Sequence, residues 1–139
     1  MVNQTTLLMN ETSAIIDYFK NLFVKKYGEI EGPAHVGGAG KKDTLCYATN
    51  DNQTAVSHLL NQPADLAIVI GGKKSSNSSH LVELCEEKLH TYFIESEEDI
   101  LSDKIIKAYN WRTHEEYTKE GYLPEKQEIK IQIDSYCVI

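Results

Sequence analysis

Leu66-Ala-Ile-Val-Ile70 is an unbroken aliphatic run that ends on Gly71-Gly72 and leads into Lys73-Lys-Ser-Ser-Asn-Ser-Ser-His80. A short apolar run bounded by turn residues has the pattern of a strand buried on both faces. The glycines make a loop, and the Ser/Asn cluster behind them supplies the cap of a helix. Strand, glycine loop and capped helix form one βα unit. They commit the chain to an α/β fold with a mainly parallel sheet flanked by helices. The loop then lies beyond the carboxyl end of its strand, where ligands bind in open parallel sheets.

Other elements are read around that unit. Val2-Asn-Gln-Thr-Thr6 resembles a strand end running into a turn. Asn10 is the expected cap of a helix carrying Ile15, Ile16, Phe19, Leu22, Phe23 and Tyr27, with Gly28 as its stop. The glycine-rich stretch 29–42 reads as a linker and the best domain boundary. Asn50 or Asp51 is expected to cap a helix with Ala55, Val56, Leu59 and Leu60 inward, ending near Pro63. A helix from Ser75 to about Lys88 places Leu81, Val82, Leu84 and Cys85 inward. Tyr92-Phe-Ile94 is a short strand, Ser96 is expected to cap an acidic turn through Asp99, and Ile129–Ile133 alternates as a last strand. Residues 101–127 show no clear period.

Composition narrows the functional classes. A net charge of −7 and the lack of a basic stripe argue against nucleic acid as a partner. No run is long enough to span a bilayer, and the first ten residues lack the pattern of a signal peptide. Cys46, Cys85 and Cys137 are irregularly spaced and make no disulfide framework, which suits a reducing, cytoplasmic setting.

Two stretches carry chemistry. Gly71-Gly72 lets the backbone approach a ligand, and Ser75, Ser76 and Asn77 add donors at a helix N-terminus, a suitable cradle for phosphate. The spacing is not that of a Walker A loop, and simple helix capping by the serines stays open beside the phosphate reading. Cys46 sits between a strand end and a helix start, a place that favours thiolate and metal binding; a buried apolar role is the alternative. Cys85, beside Leu81 and Leu84, reads as core. The histidines form no ligand pair at helical spacing, and Trp111 reads as a loop anchor. Cysteine and cradle on one sheet edge would make a metal centre facing a phosphorylated substrate.

Gln4-Thr-Thr-Leu7, Asp43-Thr-Leu-Cys-Tyr-Ala-Thr49, Gln53, Gly71-Gly72, Ser75-Ser-Asn77 and Thr91-Tyr-Phe-Ile94, with the spacing between them, resemble the LytB family of 4-hydroxy-3-methylbut-2-enyl diphosphate reductases. The resemblance covers residues 1–133 and about the carboxyl-terminal half of a family member. It implies a non-mevalonate isoprenoid enzyme in which similar α/β domains surround a 4Fe-4S iron–sulfur cluster. It makes Cys46 one iron ligand and Thr5 the catalytic threonine that contacts substrate and helps deliver a proton. Ser75, Ser76 and Asn77 become diphosphate ligands. It implies an allylic diphosphate as substrate, a ferredoxin or flavodoxin as electron donor, and amino-terminal domains as missing partners. On that basis residues 1–40 are a remnant of the preceding domain with its linker, and 41–139 are the third domain.

Departures from the family pattern shape the expectation. Lys74 stands where the family has Asn, and Asp134-Ser-Tyr-Cys-Val-Ile139 replaces the expected Thr-Ser-Gly-Ala-Ser. The upstream cysteines, histidines and glutamate have no counterpart. A truncated reductase, inactive alone, is therefore the expectation. A split enzyme completed by another chain and a non-enzymatic phosphate-binding domain are its rivals.

Overall fold

The computed structural model describes residues 4–36 and 45–125. The part of the linker from residue 37 onward, the Ile129–Ile133 strand and Cys137 lie outside the described residues. The chain divides into two compact units, Met1–Asp51 and Asn52–Ile139.

In the first unit a turn at Thr5-Thr6 precedes helix α1, Met9–Glu31. Asn10 is not its cap. The N-cap is Leu8, which contributes no side-chain bond, while Asn10 Oδ1 accepts the neighbouring Glu11 N–H at 2.9 Å. The start is fixed instead by Thr12, buried, whose hydroxyl donates to Leu8 O at 2.9 Å. Gly28 interrupts the helix as expected, through φ 86° and ψ 170°, a backbone that favours glycine. Helical backbone resumes after it, however, and runs into a 3-10 turn, Gly32–His35, so residues 29–36 are not an open loop. A side chain at Gly32 would come within 2.5 Å of Val24 Cα, and His35 lies over Tyr27 with ring centroids 4.2 Å apart. That turn is therefore folded back on α1.

Helix α2, Tyr47–Leu59, crosses the division between the units. It begins before the expected cap: neither Asn50 nor Asp51 starts it, and Cys46 stands at the head. Its end at Leu59, followed by turns at Leu60–Asn61, agrees with the stop expected before Pro63.

The second unit holds β1 (Leu66–Ile70), α3 (Ser76–Glu86) and β2 (His90–Ile94). β1 and β2 are parallel, with Leu66 opposite His90 and Ile70 opposite Ile94. Helix α3 turns Ser78, Leu81, Val82 and Cys85 inward; Leu84 is only half-buried. β1 is less buried than its sequence suggests, since Ile70 is 56% exposed. A strand with one described hydrogen-bonded partner cannot be covered as an inner strand is.

Residues 105–120 form a hairpin that the sequence did not reveal. β3 (Ile105–Asn110) pairs antiparallel with β4 (Glu115–Glu120), from Ile105 opposite Glu120 to Asn110 opposite Glu115. Asn110 Oδ1 builds the turn by accepting Arg112 N–H at 2.9 Å and Thr113 N–H at 3.1 Å. Ile94, Ile106 and Tyr122 make the core of this unit, with Ile68, Tyr92 and Leu123 packed on it. The architecture is mixed α/β, with one parallel and one antiparallel strand pair among the described residues.

Candidate functional site

Cys46 precedes the first residue of α2, and its backbone is tied at both sides. Its N–H donates to Thr5 O at 3.2 Å, and its carbonyl accepts Asn50 N–H at 3.1 Å. The second bond starts the helical ladder, so Cys46 occupies the N-cap position. Its sulfur takes the role that a Ser or Asp oxygen has in an ordinary cap. Thr49 N–H donates to Sγ at 3.4 Å, and Thr49 Oγ1 lies 3.0 Å from it, placed to donate to a thiolate. Both contacts hold the thiol below its ordinary pKa, against a smaller opposing effect of desolvation. The residue is exposed while Thr49 is buried, so a reactive sulfur is held by a fixed hydroxyl.

That arrangement brings two sequence candidates together, Thr5 and Cys46, through a backbone hydrogen bond within the first unit. Thr5 is exposed, and the neighbouring Thr6 carries a buried hydroxyl without a partner among the described residues. Thr49 is the residue that sequence reasoning passed over. Its signal was available: a threonine three residues after a cysteine occupies the position that bonds back to an N-cap.

The other candidates lie in the second unit. Ser75 is the N-cap of α3; its Oγ accepts Ser78 N–H at 3.2 Å, and its carbonyl accepts Ser79 N–H and the Ser79 hydroxyl. Capping uses an Oγ lone pair and leaves the O–H as a donor. Ser76 is exposed at the first turn, and Asn77 Oδ1 is buried with no partner among the described residues. Gly71 is required by space: a methyl group there would lie 2.4 Å from Ser78 Oγ. Its N–H extends the ladder to Ile94 O at 3.0 Å, fixing where the loop leaves the sheet.

Several other residues weighed in the sequence take structural roles. Burial pushes the Cys85 thiol up to about 11, in keeping with a core cysteine. Trp111 Nε1 lies 3.4 Å from Glu86 Oε2, anchoring the hairpin turn to α3, and His80 Nδ1 lies 3.2 Å from Glu83. Ser96 accepts no side-chain cap bond; the turn is tied instead through Asp99, whose carboxylate accepts the N–H of Glu95, the residue before Ser96, at 2.8 Å. No group of three or more His, Cys, Asp or Glu suited to a metal occurs among the described residues. None of the described helices is long and apolar enough to cross a membrane.

Comparison with known proteins gives one answer. The chain is 37% identical over 126 residues to a protein of Crocosphaera subtropica named 4-hydroxy-3-methylbut-2-enyl diphosphate reductase, covering 90% of this chain and 30% of that protein. Proteins of the same name in Aliivibrio fischeri and Vibrio cholerae are 41% and 43% identical, over 86% and 77% of this chain and 32% and 30% of their own. The chain thus spans about 30% of the length of such relatives, where the resemblance implied about half. The family model described as LytB protein matches residues 1–113, which include Thr5, Cys46 and the Ser75–Asn77 turn, and the chain belongs to that family.

Proposed function

We propose that this chain is a part of a 4-hydroxy-3-methylbut-2-enyl diphosphate reductase, contributing one iron ligand and a diphosphate cradle to an enzyme completed by other domains. The observation that carries the reading is Cys46, an exposed sulfur at a helix N-terminus with Thr49 favouring its thiolate. A thiolate is the donor that iron–sulfur clusters take. Cys46 fits one corner of such a cluster, and in this reading the other ligands come from the part of a full-length family member that this chain does not span.

When bound, the cluster supplies electrons and a Lewis-acidic iron. The reaction removes the allylic hydroxyl with two electrons and two protons: the C–O bond breaks, one proton leaves with the oxygen as water, and one adds to carbon. Thr5 is assigned the substrate contact and a proton relay, its backbone held by the Cys46 N–H. Ser75 and Ser76 are assigned to the diphosphate through hydroxyl donation, with the first N–H groups of α3. Asn77 fits the same role, because a buried amide end with an unpaired atom suits a ligand. Turning the amide would present its NH₂ donors instead. A ferredoxin or flavodoxin is the proposed electron donor, and the cytoplasm the proposed location.

The test is anaerobic iron–sulfur reconstitution of the chain, alone and with the separately produced amino-terminal remainder of a family member. The chain alone is expected to show no reductase turnover. The mixture is expected to bind iron and turn over, and Cys46→Ser to abolish both. Turnover that survives Cys46→Ser would refute the assignment. Pyrophosphate binding without any iron uptake in the mixture would favour a non-enzymatic phosphate-binding domain instead.

A further inference from the structure

Lys73 stands one residue past the glycine pair, in the loop that leads to Ser75. Its ammonium is already engaged. It lies 2.6 Å from Glu116 Oε1 on β4 and 3.2 Å from Glu95 Oε2 just after β2. The other Glu116 oxygen is 3.4 Å from Lys107 Nζ on β3, and Lys107 reaches Asp99 Oδ1 at 3.3 Å. Asp99 Oδ2 closes the circuit by accepting Glu95 N–H at 2.8 Å. Three carboxylates therefore surround two ammonium groups, and the network joins the loop, the turn after β2 and the hairpin.

The charges respond accordingly. Glu116 and Glu95 hold the Lys73 ammonium well above its ordinary range, and Lys73 holds the Glu116 carboxyl below its own. A lysine neutralised by two carboxylates offers little to an arriving anion. With a side chain only 23% exposed, it also fixes the backbone that carries it.

We propose that Glu116, together with Glu95, is a positioning residue: by clamping Lys73 it fixes the Gly71–Ser75 loop in the shape that presents the cradle, and it holds the Lys73 charge away from the bound anion. This rests on the cradle reading given above. The hairpin, which supplies no ligand of its own, thereby sets the affinity of the site.

The two possible roles of Lys73 give opposite signs. If Lys73 bound phosphate directly, neutralising its carboxylate partner would release it and strengthen binding. If it is a clamp, the same change loosens the loop and weakens binding. Titration calorimetry of the full 139-residue chain with inorganic pyrophosphate separates them. Glu116→Gln is compared with Glu115→Gln, which removes the same charge from the next residue, one that makes no ion pair with either lysine. We expect Glu116→Gln to bind about threefold to fivefold more weakly than Glu115→Gln, the scale of a well-formed exposed ion pair. Glu116→Asp should recover part of the loss. Faster amide hydrogen exchange across Gly72–Ser75 in Glu116→Gln is also expected, with exchange in the α3 core unchanged. Tighter pyrophosphate binding by Glu116→Gln, or loop exchange equal to that of the unaltered protein, would overturn the proposal. Failure of the cradle itself is distinguishable: the unaltered chain would then bind no pyrophosphate, while loop exchange still decides whether Glu116 clamps Lys73.

Discussion

Thr49 sets how much thiolate Cys46 carries, because it offers both its N–H and its hydroxyl to one sulfur. Thr49→Val keeps the shape and removes the hydroxyl. Alkylation of Cys46 by iodoacetamide is then expected to slow severalfold at pH 7, and the rates should converge at alkaline pH where both forms are ionised. Thr49→Ser should restore the rate. Equal rates at pH 7 for Val and Thr would show that the hydroxyl does nothing to the thiol. Asp99 supplies a pH dependence of the opposite kind. Bonds from Glu95 N–H and Lys107 hold its carboxyl below the ordinary range. A carboxyl with a lowered folded pKa stabilises the fold above its unfolded value of about 3.9. That contribution fades as pH falls through the folded value. Asp99→Asn is therefore expected to cost about 1–2 kcal/mol at pH 7 in urea unfolding. The gap from the unaltered protein should narrow as pH falls below the unfolded value. A gap that stays constant with pH would place the effect in packing rather than in the charge.

At the scale of elements, the βα unit around Gly71 shows what a sequence displays and what it hides. β1, α3 and β2 were legible because aliphatic run, glycine pair and Ser/Asn cap each argue for the same element at its own boundary. The β3–β4 hairpin was not. Glu115–Glu120 is exposed along its whole length and has no apolar alternation, so only its pairing with β3 makes it a strand. The start of α2 was half legible: Cys46 stands at the helix start where the sequence placed it, whereas Asn50 and Asp51, usual cap residues, drew the expected cap into the helix interior. The two glycines of the loop are also alike in sequence and different in space. A methyl group on Gly71 meets Ser78 Oγ at 2.4 Å and Ser78 Cβ at 3.0 Å, whereas one on Gly72 meets nothing within 4 Å. Gly71→Ala is expected to lower stability by about 1–3 kcal/mol and weaken pyrophosphate binding, since α3 must shift to admit it. Gly72→Ala should stay within about 0.5 kcal/mol of the unaltered protein. Thermal unfolding of both decides it, and equal losses would mean that the loop, not the Ser78 contact, limits the site.

For the whole molecule, sequence motifs named the site residues, while their partners required coordinates: Thr49 under Cys46, and Glu116 holding Lys73, forty-three residues away in sequence. What neither motif addresses is the long face of α1. Ile15, Tyr18, Phe19 and Leu22 follow a spacing of three, four and seven residues, which puts them on one side of the helix, and all are exposed. Thr12 is the one buried residue described in α1. Fully burying one such side chain contributes about 1.5–3 kcal/mol. Joining two copies costs about 4–15 kcal/mol in lost freedom. Because Ile15, Tyr18, Phe19 and Leu22 are 48%, 64%, 36% and 45% exposed, four from each copy recover only about half of the full burial term, on the order of 6–12 kcal/mol. That falls within the range of the cost, so weak self-association through α1 is the expected behaviour of the isolated chain. Sedimentation should give a mass that rises with concentration, together with binding of a hydrophobic dye. Ile15→Lys combined with Phe19→Lys should return the chain to a monomer and reduce the dye signal, with helical content by circular dichroism kept. A monomer at every concentration would show that this face is too narrow, or too broken by Asp17 and Lys20 beside it, to hold a second copy.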